Sequence, residues 1–170
     1  MTASQYEREI KGILEGEKNI ISKITKSCST IEKNNYFKVY DKPFVVIRAA
    51  GSFGIDLVAV RGDISFLIEV KTSIEDTIHF SSVNGKLQKQ AIDMQKTCEK
   101  TKTLPIYAYR IKNYRGDSWR LFTINIKNIE GRLKVLHNRL PKIESSKKGN
   151  YIMRWNRGLS LSDFIFYLCR

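Results

Sequence analysis

Two carboxylates and one lysine carry the chemical signal in this sequence. In the stretch Gly54-Ile-Asp-Leu-Val-Ala-Val-Arg-Gly-Asp-Ile-Ser-Phe-Leu-Ile-Glu-Val-Lys, two apolar runs at 57–60 and 66–70 flank Arg61-Gly62-Asp63-Ile64. Gly62 suits the first central position of a two-residue type II′ hairpin turn, where φ is positive. Centring the turn between Gly62 and Asp63 sets Val60 against Ser65, Ala59 against Phe66, Val58 against Leu67 and Leu57 against Ile68. Asp56 then faces Glu69. Directly opposed residues of an antiparallel pair share one face, with Cβ atoms about 5 Å apart. Strand alternation puts Lys71 on that same face and Val70 on the other.

Two like charges at about 5 Å repel by about 3 kcal/mol at an effective dielectric near 20. Selection for folding alone would avoid the pair. A divalent cation reverses the sign of the interaction, and hard oxygen ligands suit Mg²⁺ or Mn²⁺. Mg²⁺ also keeps waters and shares its shell with substrate phosphate. Lys71 beside the cation can position or deprotonate a water, or stabilise the charge that develops on phosphorus oxygens. The reaction class is hydrolysis of a phosphodiester. Taken singly, Asp56 reads as a loop-end turn residue, and Glu69 with Lys71 as a solvated strand face. Together, on strands otherwise apolar, they favour the metal site.

The whole chain fits that chemistry. It has 170 residues, 42% of them apolar, and a formal net charge of +13. That length supports one good core, and residues 1–170 are expected to form a single nuclease domain. A surplus of positive charge attracts polyanions. Nucleic acid is the commonest such partner; an acidic membrane surface or plain solubility would also account for it. The lysines and arginines are spread along the chain, which suggests a folded domain with a basic face. The longest apolar run, 164–169, is far short of the ~18 residues needed to span a bilayer. The first residues show neither a basic n-region nor an apolar h-region, so a cytoplasmic protein is expected. Cys28, Cys98 and Cys169 make neither a disulfide framework nor a zinc site.

The elements that must position the trio follow from periodicity. Tyr6, Ile10, Ile13, Leu14, Ile20, Ile21 and Ile24 predict a helix over 4–26, weakened by Gly12 and Gly16, each costing about 1 kcal/mol. Residues 27–42 read as a polar loop with a short strand at 36–40. A strand at 44–50 precedes the hairpin. A second helix covers 84–101, with Leu87, Ala91, Met94 and Cys98 on one side. Strands follow at 106–111 and 119–126, and 127–158 gives only weak signals. Ser160 and Asp163 resemble a capping box that opens a helix at 161–168. The fold class is α/β, a central mixed sheet of about five strands flanked by helices.

Asp, a hairpin, then Glu-x-Lys resembles the pattern of the PD-(D/E)xK nuclease superfamily, and within it the archaeal-type Holliday junction resolvases. Three other segments extend the resemblance. Tyr6-Glu7-Arg8-Glu9-Ile10 is similar to the family's N-terminal helix motif. Val45-Val-Ile-Arg48-Ala-Ala-Gly51-Ser52 resembles its strand and following loop. Gly158-Leu-Ser-Leu-Ser-Asp163-Phe resembles the opening of its final helix. Ile55 stands where the motif's name has Pro, and the stretch between Glu7 and Arg48 is longer than in the family.

The resemblance implies a restriction-endonuclease-like fold and a structure-selective endonuclease that resolves four-way junctions as a homodimer. It implies that Glu7, Asp56 and Glu69 hold Mg²⁺, or Mn²⁺, with Glu9 as the alternative to Glu7. Lys71 would be the catalytic lysine. Arg8, Arg48 and Ser52 would assist at the scissile phosphate or contact DNA. Competing readings are a restriction- or repair-type endonuclease on duplex DNA, and a DNA-binding module without catalysis. Lys86, Lys89 and Gln90, opening the second helix, fit phosphate contact or a solvated helix face equally well. His79 and His137 lie far apart with no partner motif. Tyr107, Tyr109 and Trp119 read as core or subunit interface, and Tyr114-Arg-Gly-Asp as a turn.

Overall fold

The computed structural model describes residues 3–49, 54–81 and 85–170. The N-terminal stripe forms α1 (Ala3–Leu14), which buries Tyr6, Ile10, Ile13 and Leu14. The expected single helix over 4–26 is two helices. Gly16 adopts φ +74, a left-handed conformation that closes α1, and the chain restarts as α2 (Lys18–Ile24). Only glycine takes that conformation without strain.

Where a loop and a short strand at 36–40 were expected, α3 (Thr30–Phe37) forms, followed by a 3-10 turn over Lys38–Asp41. Ser29 starts α3 with a complete capping box: its hydroxyl accepts from Glu32 N, and the Glu32 carboxylate accepts from Ser29 N at 2.7 Å. Replacing Ser29 with Ala is expected to cost about 1 kcal/mol, a fall in Tm of about 2–4 °C in a thermal melt.

The strands and remaining helices follow in chain order: β1 (Val45–Arg48), β2 (Leu57–Arg61), β3 (Ile64–Ser73), β4 (Thr77–His79), α4 (Lys86–Thr101), β5 (Leu104–Ile111) and β6 (Trp119–Phe122). Then come α5 (Gly131–Arg139), β7 (Glu144–Ser145), β8 (Tyr151–Arg154), a 3-10 turn at Trp155–Arg157, β9 (Leu159–Ser160) and α6 (Leu161–Leu168). One sheet runs β1-β2-β3-β5-β6-β9, and a smaller one runs β4-β8-β7. In the large sheet only β3 and β5 pair in parallel. The α/β class and the mixed sheet are as expected. The sheet has six strands rather than five, because β9 adds a two-residue edge just before the cap of α6.

The large sheet is covered on both faces. Phe66 and Ile68 of β3 meet Ile10 and Leu14 of α1 and Leu161 and Phe164 of α6. On the opposite face, Phe80 packs on Tyr107 and on Tyr151, with ring centroids 5.7 and 5.9 Å apart. The β2–β3 register is the expected one, Leu57 opposite Ile68 through Arg61 opposite Ile64. Burial enforces it: Leu57, Ala59, Phe66 and Ile68 are all inside, and a slip of one residue would turn Glu69 into that core. The turn type differs from expectation, since Gly62 is not among the positive-φ residues. Side chains hold the turn instead. Arg61 donates Nε and Nη2 to the Asp63 carboxylate at 2.6 and 3.0 Å, and Arg132 pairs with the same group.

One buried carboxylate joins three elements. Asp117 Oδ1 accepts from Tyr36 Oη of α3 at 2.8 Å and from the backbone N of Trp119 at 3.2 Å, at the start of β6. Its Oδ2 accepts from Ser162 N in the first turn of α6 at 2.9 Å.

Candidate active site

Asp56 lies one residue before β2 and continues its pairing with β1. Its N–H donates to Ile68 O at 3.0 Å, and its carbonyl accepts from Ala49 N at 2.8 Å. The bond to Ala49 keeps the β1–β2 register, but the bond to Ile68 falls one residue out of the β2–β3 register. Asp56 and Leu57 therefore both lie opposite Ile68, as at a β-bulge, and the expected strict opposition of Asp56 to Glu69 is not what forms. The Asp56 carboxylate is nonetheless close enough to Glu69 for its charge to raise the Glu69 carboxyl. Val70 N donates to Asp56 Oδ2 at 2.7 Å, which fixes the carboxylate over β3. On β3 the inward alternation of Ile64, Phe66 and Ile68 leaves Glu69 and Lys71 together on the other face. Lys71 Nζ donates to Glu69 Oε1 at 2.6 Å. Asp56, Glu69 and Lys71 are thus brought together, although a break in the ladder at Asp56, rather than strict cross-strand opposition, sets the place of the first.

Glu69 is only 5% exposed, and its second oxygen, Oε2, is buried without a hydrogen-bond partner. A buried, unsatisfied carboxylate oxygen is costly in a folded protein. Burial pushes the Glu69 carboxyl up to about 7; the Lys71 ammonium opposes the shift and the Asp56 charge adds to it. Burial also raises the Asp56 carboxyl, against the Val70 N–H and with help from the charge of Glu7. Both acids are therefore strained toward protonation, and bound positive charge relieves that strain.

Arg48 and Glu7 form a separate pair. Arg48 opposes Leu57 in the β1–β2 register, which puts its side chain on the α1 face. There its Nε and Nη2 donate to Glu7 Oε2 at 3.1 and 2.6 Å, and Nη2 also donates to Ser4 Oγ at 2.9 Å. Glu7 acts on Asp56 by charge across the end of the sheet, but it does not join Asp56 and Glu69. Among the described residues, no three His, Cys, Asp or Glu side chains are grouped as metal ligands. Glu9 is engaged elsewhere: its Oε1 accepts from Arg110 Nε at 2.7 Å and Trp119 Nε1 at 2.8 Å. Arg8 is exposed and lines a cleft with Ile20, Lys23 and Ile24 of α2. Ser52 lies outside the described residues. Lys86 and Lys89 are exposed on the first turn of α4.

Two features escaped the sequence reading. Gly54, at φ +68, brings the loop before Asp56 against α4; a Cβ there would lie 3.3 Å from Gln90 Cβ. Glycine in a loop directly ahead of a predicted acid was the available signal. The second is the Arg48–Glu7 pair, for which no local pattern exists.

Comparison with known proteins supports the architecture. No family model matches the chain, and no curated protein matches it by sequence. Among solved structures, Hjc of Archaeoglobus fulgidus, a Holliday junction resolvase from an archaeal hyperthermophile, is similar over 79% of this chain and 92% of its own. The TM-score is 0.50 and the identity 17%. The likeness is one of fold: an α/β chain with a mixed sheet flanked by helices. No helix among the described residues is long and apolar enough to cross a membrane.

Proposed function

We propose that this chain is a metal-dependent endonuclease that resolves four-way DNA junctions by phosphodiester hydrolysis. The observation that carries the reading is the pair of neighbouring carboxylates, Asp56 and Glu69, at the β2–β3 hairpin, with Lys71 bonded to one Glu69 oxygen and the other left without a partner. The donor set fits a hard divalent cation. It offers only carboxylate oxygens, one of them orphaned and buried, and both acids are raised toward protonation. Asp56 and Glu69 would hold Mg²⁺ or Mn²⁺, and Glu7 would complete the set if Arg48 released it. When bound, the cation supplies Lewis-acid polarisation of the scissile phosphate and the attacking water.

The chain's own groups do the rest. The Val70 N–H holds Asp56 in place at 2.7 Å, so the carboxylate needs no reorganisation. Lys71 is anchored by Glu69, and its ammonium orients water or stabilises the negative charge that grows on the phosphate oxygens. Arg48, held against α1 by Glu7 and Ser4, is a second cation at the end of the sheet. Lys86 and Lys89, and Arg8 on α1, would hold backbone phosphates. Backbone contacts give affinity with little sequence information, as a structure-selective enzyme requires. A junction has two-fold symmetry, so two copies of the chain would cut opposed strands.

The test compares a four-way junction, linear duplex and single strand of the same sequence, with Mg²⁺ present. Paired cuts in opposed junction strands, at a rate at least tenfold above that on duplex, are the expected result. Equal cutting of duplex would replace junction resolution with a restriction- or repair-type activity. In the same assay, Arg48→Ala is expected to slow cutting by about 10²-fold with a smaller effect on binding.

A further inference from the structure

Helix α4 carries a row of unpaired positive charge between two anchored flanks. Ala91, Met94 and Cys98 are buried, and Leu87 packs against them. With Leu87 pointing inward, Gln90 falls about 60° to one side and Gln88 about 100° to the other. Lys86 and Lys89 lie on the solvent arc between them. The Gln90 flank faces the loop that leads to Asp56, where Gly54 touches it.

The Gln88 flank holds the turn between β7 and β8. Gln88 Oε1 accepts from Tyr151 N at 2.8 Å, and its Nε2 donates to Gly149 O at 3.4 Å. The turn itself is closed by Ser146 N to Asn150 O at 2.8 Å, Gly149 N to Ser146 O at 2.9 Å and Asn150 N to Ser146 Oγ at 3.2 Å. Gly149 at φ +80 makes this tight closure. The tip it presents is Lys147-Lys148, both exposed.

Among the described residues, none of Lys86, Lys89, Lys147 and Lys148 has a carboxylate within ion-pair distance. Other basic groups of the chain are neutralised: Arg154 pairs with Glu144, and Arg61 and Arg132 with Asp63. A built turn that offers two unpaired lysines, clamped to a helix that carries two more, is a surface for a polyanion.

We propose that the β7–β8 turn is a DNA-backbone clamp, seated by Gln88, that extends the phosphate track of Lys86 and Lys89 across α4 and away from the carboxylates. The proposal rests on the nuclease reading above and adds Lys147, Lys148 and Gln88 to it. The width of a helix, about 10 Å, corresponds to about three nucleotides of rise along one strand. The turn residues Ser146, Lys147, Lys148, Gly149 and Asn150 include no apolar side chain to enter a lipid interface, which argues against a membrane occupant.

The test is fluorescence anisotropy of labelled duplex and four-way junction in EDTA across a KCl series. Each phosphate contact contributes about 0.9 to the slope of log K against log salt. The double variant Lys147→Gln/Lys148→Gln is expected to lower the slope by up to about 1.8. Gln88→Ala removes no charge, yet it is expected to weaken binding because the turn loses its seat. Lys127→Gln/Lys134→Gln removes the same charge from exposed positions off this surface and is expected to keep the wild-type slope. A wild-type slope in the Lys147/Lys148 variant, or an equal fall in the Lys127/Lys134 variant, overturns the clamp. Wild-type affinity in Gln88→Ala overturns the seat. Because binding is read without metal, a protein that shows the expected slopes but cuts no DNA removes the nuclease reading and leaves the lysine turn standing. A protein that cuts, with a slope indifferent to Lys147 and Lys148, does the reverse.

Discussion

Glu69→Gln is expected to abolish DNA cutting, by at least about 10³-fold in rate, while making the metal-free protein more stable. Few substitutions separate the two effects so cleanly. Loss of cutting follows because an amide cannot supply the second negative ligand beside Asp56. The gain in stability follows from the orphaned oxygen and the raised acid. Glu69 in the fold titrates near 7, above its ordinary value of 4.5. A group whose folded pKa is raised contributes stability that is complete below the unfolded pKa and is lost as pH rises through the folded one.

The advantage of Gln over Glu should therefore be near zero at about pH 4.5 and grow to its full size above pH 7. A gain of about 2 kcal/mol, several degrees in Tm, is the expected scale at neutral pH. Melts of both proteins in chelator from pH 4.5 to 8 check it. A variant that melts well below wild type at pH 8 would mean that Glu69 is a structural residue. Asp56→Asn should also abolish cutting, and DNA binding should be retained in both variants.

The second large effect is structural. Asp117→Ala should cost about 3–5 kcal/mol, because it strands the Tyr36 hydroxyl and the backbone N–H groups of Trp119 and Ser162 inside the protein. At about 2–4 °C per kcal/mol, the Tm falls by roughly 10 °C or more. Burial holds the Asp117 carboxyl above its usual range against these hydrogen bonds, so Asp117→Asn should recover part of the loss: its one carbonyl oxygen can accept from Tyr36 and Trp119, while its NH2 cannot accept from Ser162 N. Tyr36→Phe removes one donor only and should cost about 1–2 kcal/mol. If Asp117→Ala melts within a degree or two of wild type, α3 and α6 are held by apolar packing alone.

How much could be read from the sequence depended on whether the signal was local. The β2–β3 hairpin announces itself through alternation, and its register from Leu57 to Arg61 carries Asp56 to the neighbourhood of Glu69 whatever the turn type, although the ladder breaks at Asp56 itself. That is why the pairing was legible while the positive φ assigned to Gly62 was wrong: Arg61 and Asp63 hold the turn by their side chains. Helix α6 was legible because Ser160 and Asp163 cap an eight-residue helix in which six residues are apolar. Helix α3 was not, because of its residues only Asn35 and Tyr36 are buried, which leaves no periodic stripe. Its sole signal was the Ser29–Glu32 capping box. Strands β7 and β8 bury little beyond Met153 and are too short to show alternation. The Arg48–Glu7 pair and the Gln88 clamp join residues far apart in the chain, and no window of sequence contains them.

In the proposed reaction, paired carboxylates at one hairpin hold a cation that drives strand scission. A time course of wild-type protein on one labelled four-way junction, with Mg²⁺ in one arm and EDTA in the other, tests it most directly. Nicks in opposed strands with Mg²⁺ and an intact junction in EDTA are the expected result. Equal cutting in both arms, or an intact junction with Mg²⁺ and again with Mn²⁺, would contradict it.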